Sequence, residues 1–194
     1  MDDFLRNVIF GFEHVLDWSA YDHILFIALL AVPYLFKSWK KLLWLVTAFT
    51  IGHTLSLMLV AFAKVSFSSA YIEFLVPVTI AVTALFNIFT AGNRHRDNAA
   101  WIGIGISLFF GLIHGFAFSS AYTMLAAGTD NEFLLLISYA LGIEGAQLVI
   151  VLGVLVLNFV FTGIFRFSKK DWIQVTSGII LGMVIPMLIA RWIF

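Results

Sequence analysis

The sequence predicts an all-α, polytopic membrane protein: a bundle of six transmembrane helices, preceded by a short amphipathic N-terminal helix, with both termini on the outer side. Three observations carry this expectation. Of 194 residues, 62% are hydrophobic and only 11% charged, with a mean hydropathy of +1.03. Soluble domains hold roughly 45–50% apolar and about 25% charged residues. The apolar residues also fall into runs near the length of about 20 that a bilayer crossing needs. Finally, basic residues crowd alternate connections between those runs. The formal net charge is zero, so no nucleic acid or other polyanion is expected as a partner; the lipid bilayer is. The chain has no cysteine, which excludes disulfides, thiolate metal sites and cysteine nucleophiles.

Residues 1–194 read as a single transmembrane domain. Phe4–Trp18 mixes apolar residues with Arg6, Glu13, His14 and Asp17; this composition predicts an interfacial or re-entrant helix over 4–18, not a span. The acidic start, Asp2 and Asp3, and the lack of a small-residue cleavage site argue against a signal peptide. Spans follow over about 19–36, 42–63, 71–91, 100–122, 133–165 and 172–194. The fifth is long enough to tilt or to extend past the lipid. In the sixth, Pro186 is expected to introduce a kink. Its Gly178-Ile179-Ile180-Leu181-Gly182 is a small-xxx-small pattern that suits another span or a second copy in a homo-oligomer.

Orientation follows from the cations. The first, third and fifth connections carry Lys37, Lys40 and Lys41, then Arg94 and Arg96, then Arg166, Lys169 and Lys170. The opposite side has only Arg6, Lys64 and Arg191, with the acids Asp130 and Glu132. The three basic connections are therefore expected in the cytoplasm, and His95 with them. In a bacterium this is the inner membrane, with both termini periplasmic.

Ionisable residues inside lipid are costly and mark pathways or sites. The spans contain Asp22, His23, His53, Glu73, His114 and Glu144, the last with Gln147 three residues on. At a rise of about 1.5 Å per residue, His53, His114 and Glu144 fall roughly 13–17 Å below the outer ends, and His23 about 6 Å. Three helices thus bring two imidazoles and a carboxylate to one level, with His14 and Asp17 above: a polar shaft open to the outside. Imidazole with carboxylate is a donor set for zinc, nickel, cobalt or iron(II). Thr50 and Thr54 beside His53, and Gln147 beside Glu144, suit orienting or pathway roles. Glu73, close to the outer water, is a weaker pathway candidate. The alternative for each residue is a hydrogen bond that joins helices. The phenylalanines read mainly as lipid-facing bulk.

Several blocks resemble the HupE/UreJ family of bacterial membrane proteins. They are Glu13-His14, Asp22-His23-Ile24-Leu25-Phe26, Thr47-Ala48-Phe49-Thr50-Ile51-Gly52-His53, Phe110-Gly111-Leu112-Ile113-His114-Gly115 and Leu141-Gly142-Ile143-Glu144-Gly145-Ala146-Gln147. The resemblance implies a six-span bundle tied to nickel or cobalt uptake. It maps the family's Asp-His pair onto Asp22 and His23, its next histidines onto His53 and His114, and its Glu-x-x-Gln block onto Glu144 and Gln147. The expected function is accordingly a nickel or cobalt permease with an outward-open site built from His14, Asp22, His23, His53, His114 and Glu144. A zinc-dependent intramembrane hydrolase, with Glu144 or Asp22 as general base on a lipid-linked substrate, is the alternative from another class. A structural subunit, whose polar residues only lock helices, is a third.

Overall fold

The computed structural model describes residues 3–92, 100–129 and 131–193, and among them there is helix and no strand. The helices are α1 (Asp3–Leu16), α2 (Asp22–Ala31), α3 (Trp39–Ala63), α4 (Ser69–Thr90), α5 (Ala100–Ala117), α6 (Ser119–Ala126), α7 (Glu132–Phe159) and α8 (Lys169–Ala190). Short 3-10 turns at Trp18–Ala20 and Phe36–Ser38 precede α2 and α3, and a π turn, Val160–Ile164, extends α7. Arg94, His95, Arg96 and Asp130, on which part of the orientation reading rests, lie outside the described residues.

Caps set several of these boundaries. The Asn131 side chain accepts the Leu134 N–H to open α7, and the Ser168 hydroxyl oxygen accepts the Asp171 N–H to open α8. Lys64, in the left-handed region at φ 54°, closes α3. Pro186 sits inside α8, which continues to Ala190.

Among the described residues, four helical segments are long and apolar enough to cross a membrane alone: Phe36–Ala63, Ser69–Thr90, Glu132–Ile164 and Lys169–Ala190. α5 and α6 add a fifth crossing if taken together, bent by 61° at their junction. The expected first span is different. Only Asp22–Ala31 is helical there, about 15 Å by helix rise, half of a hydrocarbon core.

The early end of α2 has a physical cause. Helix C-termini leave carbonyls without partners, and lipid cannot supply any. Here neighbouring side chains do so: Asn87 Nδ2 donates to Leu29 O at 2.9 Å, Trp172 Nε1 to Val32 O at 3.1 Å and Asn158 Nδ2 to Tyr34 O at 2.8 Å.

α1 lies along the first half of α7, running the same way. Asp3 and Asn7 share a small cavity with Asn131 and Leu135, and Gly11 lies against the backbone of Tyr139 and Ile143. Its inner face is Asn7, Gly11 and Val15, at four-residue spacing. α2 then follows along the second half of α7, ending at Asn158. The N-terminal helix is thus packed into the bundle, where the sequence suggested an interfacial or re-entrant segment.

α3 and α5 form the closest pair, also parallel. A Cβ on Gly52 would collide with the Leu108 carbonyl, one on Gly111 with that of Phe49, and one on Gly115 with His53 and Ser56. α4 and α8 pair antiparallel, with Gln174 donating to Ile88 O and Arg191 to Glu73 O, each at 3.4 Å. Outside these seams the surface is apolar: Trp44 is 65% exposed, Phe89 81% and Ile189 70%. A water-facing monomer rarely presents such a continuous patch; a lipid-facing one must. Gly92 lies against the Lys170 side chain, which puts the C-terminal end of α4 and the N-terminal end of α8 on one side.

Gly52→Val and Gly142→Val should each force backbone apart, since the Gly142 Cβ would strike the Val8 carbonyl. Overpacking of this kind costs about 1–3 kcal/mol. Thermal unfolding in detergent should show both lowered, with Gly182→Ala unchanged because its Cβ would meet nothing within 4 Å. Equal melting of all three would refute the assigned seams.

Candidate metal centre

Four helices each deliver one imidazole to the same place. His14 comes from the last turn of α1, His23 from the first turn of α2, His53 from the middle of α3 and His114 from the last turn of α5. Ring centroids are 4.7 Å apart for His14–His23, 6.0 Å for His14–His53 and 5.9 Å for His23–His53. His114 joins through His23, at 5.3 Å. One ligating nitrogen from each of His14, His23 and His53 lies within 4.8 Å of the others. Two nitrogens on one ion, at 2.0–2.1 Å each, stand at most about 4.2 Å apart. Closing around a metal therefore takes side-chain movement of under an ångström or so.

The rings lack the partners that buried imidazoles normally have. His14 Nε2, both nitrogens of His23, both of His53 and His114 Nε2 are buried without a hydrogen bond. Each such atom costs about 1–3 kcal/mol if nothing meets it, so this concentration asks for a ligand. His114 Nδ1 sits 2.9 Å from the Phe110 carbonyl. A carbonyl only accepts, so Nδ1 carries the proton and Nε2 is left with a lone pair. This is the usual arrangement of a metal-binding histidine.

Asp22 adds the charge. Its Oδ1 accepts the His23 backbone N–H at 2.8 Å and approaches His23 Nδ1 to 2.9 Å without the alignment of a regular hydrogen bond. Its other oxygen, Oδ2, lies 3.5 Å from Arg191 Nη1 at the end of α8. Aromatic rings close the remaining sides. Phe118 is 4.0 Å from His14 and stacks on Tyr139 at 5.3 Å. Phe26 and Phe49, both fully buried, lie 5.2 and 5.1 Å from His114 and form the floor. On the opposite side a cleft of about 850 Å³, lined by Glu13, His14, Asp17 and Phe118 among others, leads out.

A model of the family described as HupE / UreJ protein matches residues 1–194. The chain belongs to the HupE/UreJ family. No curated protein and no solved structure matches it. In this HupE/UreJ member the sequence candidates divide into three groups. His14, Asp22, His23, His53 and His114 are brought together as described. Glu144 is turned elsewhere: Thr47 Oγ1 donates to its Oε1 at 2.6 Å, and Thr50 Oγ1 to its Oε2 at 2.5 Å, with Gln147 Oε1 3.2 Å from Thr50. Asp17, Thr54 and Glu73 stand apart. Asp17 is at the exposed rim, where the Ser19 hydroxyl and backbone N–H hold its carboxyl below the usual range. Thr54 is half-buried and makes no hydrogen bond to the cluster, and Glu73 lies near the N-terminal end of α4.

His23 is deeper in the site than its position in the span suggests. The depth count starts at Ser19, whereas α1 extends the protein beyond that point along the first half of α7. Sequence reading also passed over Arg191, Tyr139 and the aromatic floor. The available signals were Phe118, four residues after His114 and so on its face, and an isolated arginine on the cation-poor side.

Asp22→Asn keeps the oxygen that accepts the His23 N–H but removes the charge. Metal affinity should fall by about 10–100-fold, as for other residues that orient a ligating histidine, with little change in melting temperature. Titration with cobalt in detergent, read by absorption, checks this. Binding should also weaken as pH falls, because protons compete with the metal for the same lone pairs. An unchanged affinity in the variant would remove Asp22 from the site.

Proposed function

We propose that this HupE/UreJ protein binds a divalent transition metal, nickel or cobalt, at the imidazole cluster and carries it across the membrane. The supporting observation is the convergence of imidazoles from four helices, five of whose nitrogens are buried with no polar partner while a sixth, His23 Nδ1, faces only the Asp22 carboxylate, beside a cleft that opens to the surface. Four neutral imidazoles and one carboxylate shared with Arg191 bind a cation while leaving it free to depart, as passage requires.

In this reading residues 1–194 are one transmembrane domain with six crossings. α1 and α2, placed end to end along α7, serve together as the first and are broken at the site, as in transporters that bind ions at discontinuous helices. Both termini face the periplasm of a bacterial inner membrane. The cleft then makes the state outward-open, with Phe26 and Phe49 closing the inner side. Gly178 and Gly182, beside which a Cβ would find open space, support self-association through the last span.

The hydrolase alternative draws less support. It needs a carboxylate free to act as base beside the metal, but Glu144 is engaged by two threonines and Asp22 by His23 and Arg191.

Purified protein in liposomes, with a metal-sensitive dye trapped inside, tests the proposal. Nickel or cobalt should enter, and His53→Ala and His114→Ala should each slow entry at least about tenfold, or about 1.4 kcal/mol. If both variants transport like the parent, the permease reading is wrong.

A further inference from the structure

We infer a second cation station, built only of oxygens, on the inner side of the imidazole cluster: Glu144 and Gln147 of α7 with Thr47 and Thr50 of α3. It rests on the permease reading and extends it, since its ligand is the same divalent metal in transit.

Two helices independently set its depth. Along α3, Thr50 and Thr47 precede His53 by about 4.5 and 9 Å toward the lysine-rich end; along α7, Glu144 follows Tyr139 by about 7.5 Å in the same direction. The station is therefore about one to two helical turns inward of the imidazoles.

The case for a cation comes from what the carboxylate lacks. Among the described residues no arginine, lysine or histidine pairs with Glu144; each of its oxygens accepts only a threonine hydroxyl. A carboxylate at this depth calls for a cation or a proton. Gln147 supplies the independent sign. It is fully buried, its Oε1 faces the Thr50 hydroxyl at 3.2 Å and its Nε2 has no partner. With the amide turned over, Nε2 donates to the Thr50 hydroxyl oxygen and the carbonyl oxygen becomes the buried end without a partner, free to face a cation.

The donors can also turn to receive an ion. Val46 O lies 3.3 Å from Thr50 Oγ1, so the hydroxyl proton has a second acceptor and its oxygen can face the cation. Carboxylate, hydroxyl and amide oxygens bind nickel or cobalt less strongly than imidazole. A nitrogen site outside and an oxygen site inside therefore form a descending step, capture followed by release.

Cobalt uptake into liposomes and cobalt binding in detergent, measured on the full chain and on Glu144→Gln, test this. The parent should bind one strong equivalent with imidazole-type absorption and a second, weaker one. Glu144→Gln should keep the first within about twofold, lose the second, and transport at least tenfold more slowly. Thr50→Val should fall between. Retained strong binding shows that the variant is folded. Uptake at the parent's rate overturns the station, as does loss of the strong equivalent together with transport, which would make Glu144 part of the imidazole site. A parent that moves no cobalt overturns the permease reading alone. The station then stands if the weak equivalent disappears in Glu144→Gln, and falls if the parent binds only one.

Discussion

An unpaired polar group inside hydrocarbon has no water to turn to, and most of this structure can be read as the response to that constraint. Where α2 stops after ten residues, its open carbonyls are met by Asn87, Asn158 and Trp172 from three other helices. Where α3 and α5 run side by side, the Ser107 hydroxyl donates to the Leu45 carbonyl at 2.6 Å. Polar groups at these seams are answered by protein. The imidazole cluster is the main place where they are not, and that contrast separates a site from the hydrogen bonds that join helices.

The same seams explain why four rings meet at all. Close packing through glycine fixes helix position and rotation together, because the backbone of one helix enters the space a side chain would fill. Gly111 and Gly115 lie against Phe49 and His53, which sets His114 and His53 in register. Gly11 and Gly142 do the same between α1 and α7, and His14 sits one turn beyond Gly11. These glycines thereby set where the imidazoles of His14, His53 and His114 arrive. Packing and site are therefore one design problem, solved at the backbone level.

Much of this was legible in the sequence. Hydropathy located α3, α4, α5 with α6, α7 and α8 to within a few residues, because each is a long apolar run bounded by charge. It did not show the half length of α2, because a short helix whose last carbonyls are met by distant side chains leaves no local trace. The histidines stood out because ionisable residues are rare in lipid. Their true grouping did not, since a count of residues from a span's end assumes a straight crossing, and the chain breaks between Leu16 and Asp22. Glu144 shared an apparent level with His53, but its hydrogen bonds to Thr47 and Thr50 place it about one to two turns away along α3. Phe26, Phe49 and Phe118 were hidden among 21 phenylalanines, most of which do face lipid.

Charge shows how firmly such a centre can hold an ion. Neutral imidazoles supply lone pairs but no compensation for two positive charges, and Asp22 is already shared with Arg191 at 3.5 Å. A divalent ion among these rings would thus keep a net positive field that favours its departure. Outward it would return to the cleft, past Glu13 and Asp17. Inward it meets Phe26 and Phe49, which offer no charge, and beyond them the carboxylate of Glu144. In the proposed permease, the position of this aromatic floor would decide direction. A ligand can shift a two-state equilibrium only by its difference in affinity for the two states. A floor that opens when the imidazoles contract by under an ångström would gain that difference from the metal–nitrogen bonds themselves. One nitrogen from each of His14, His23 and His53 lies within 4.8 Å of the others, against a limit of roughly 4.2 Å for two nitrogens on one ion, which leaves room for that contraction.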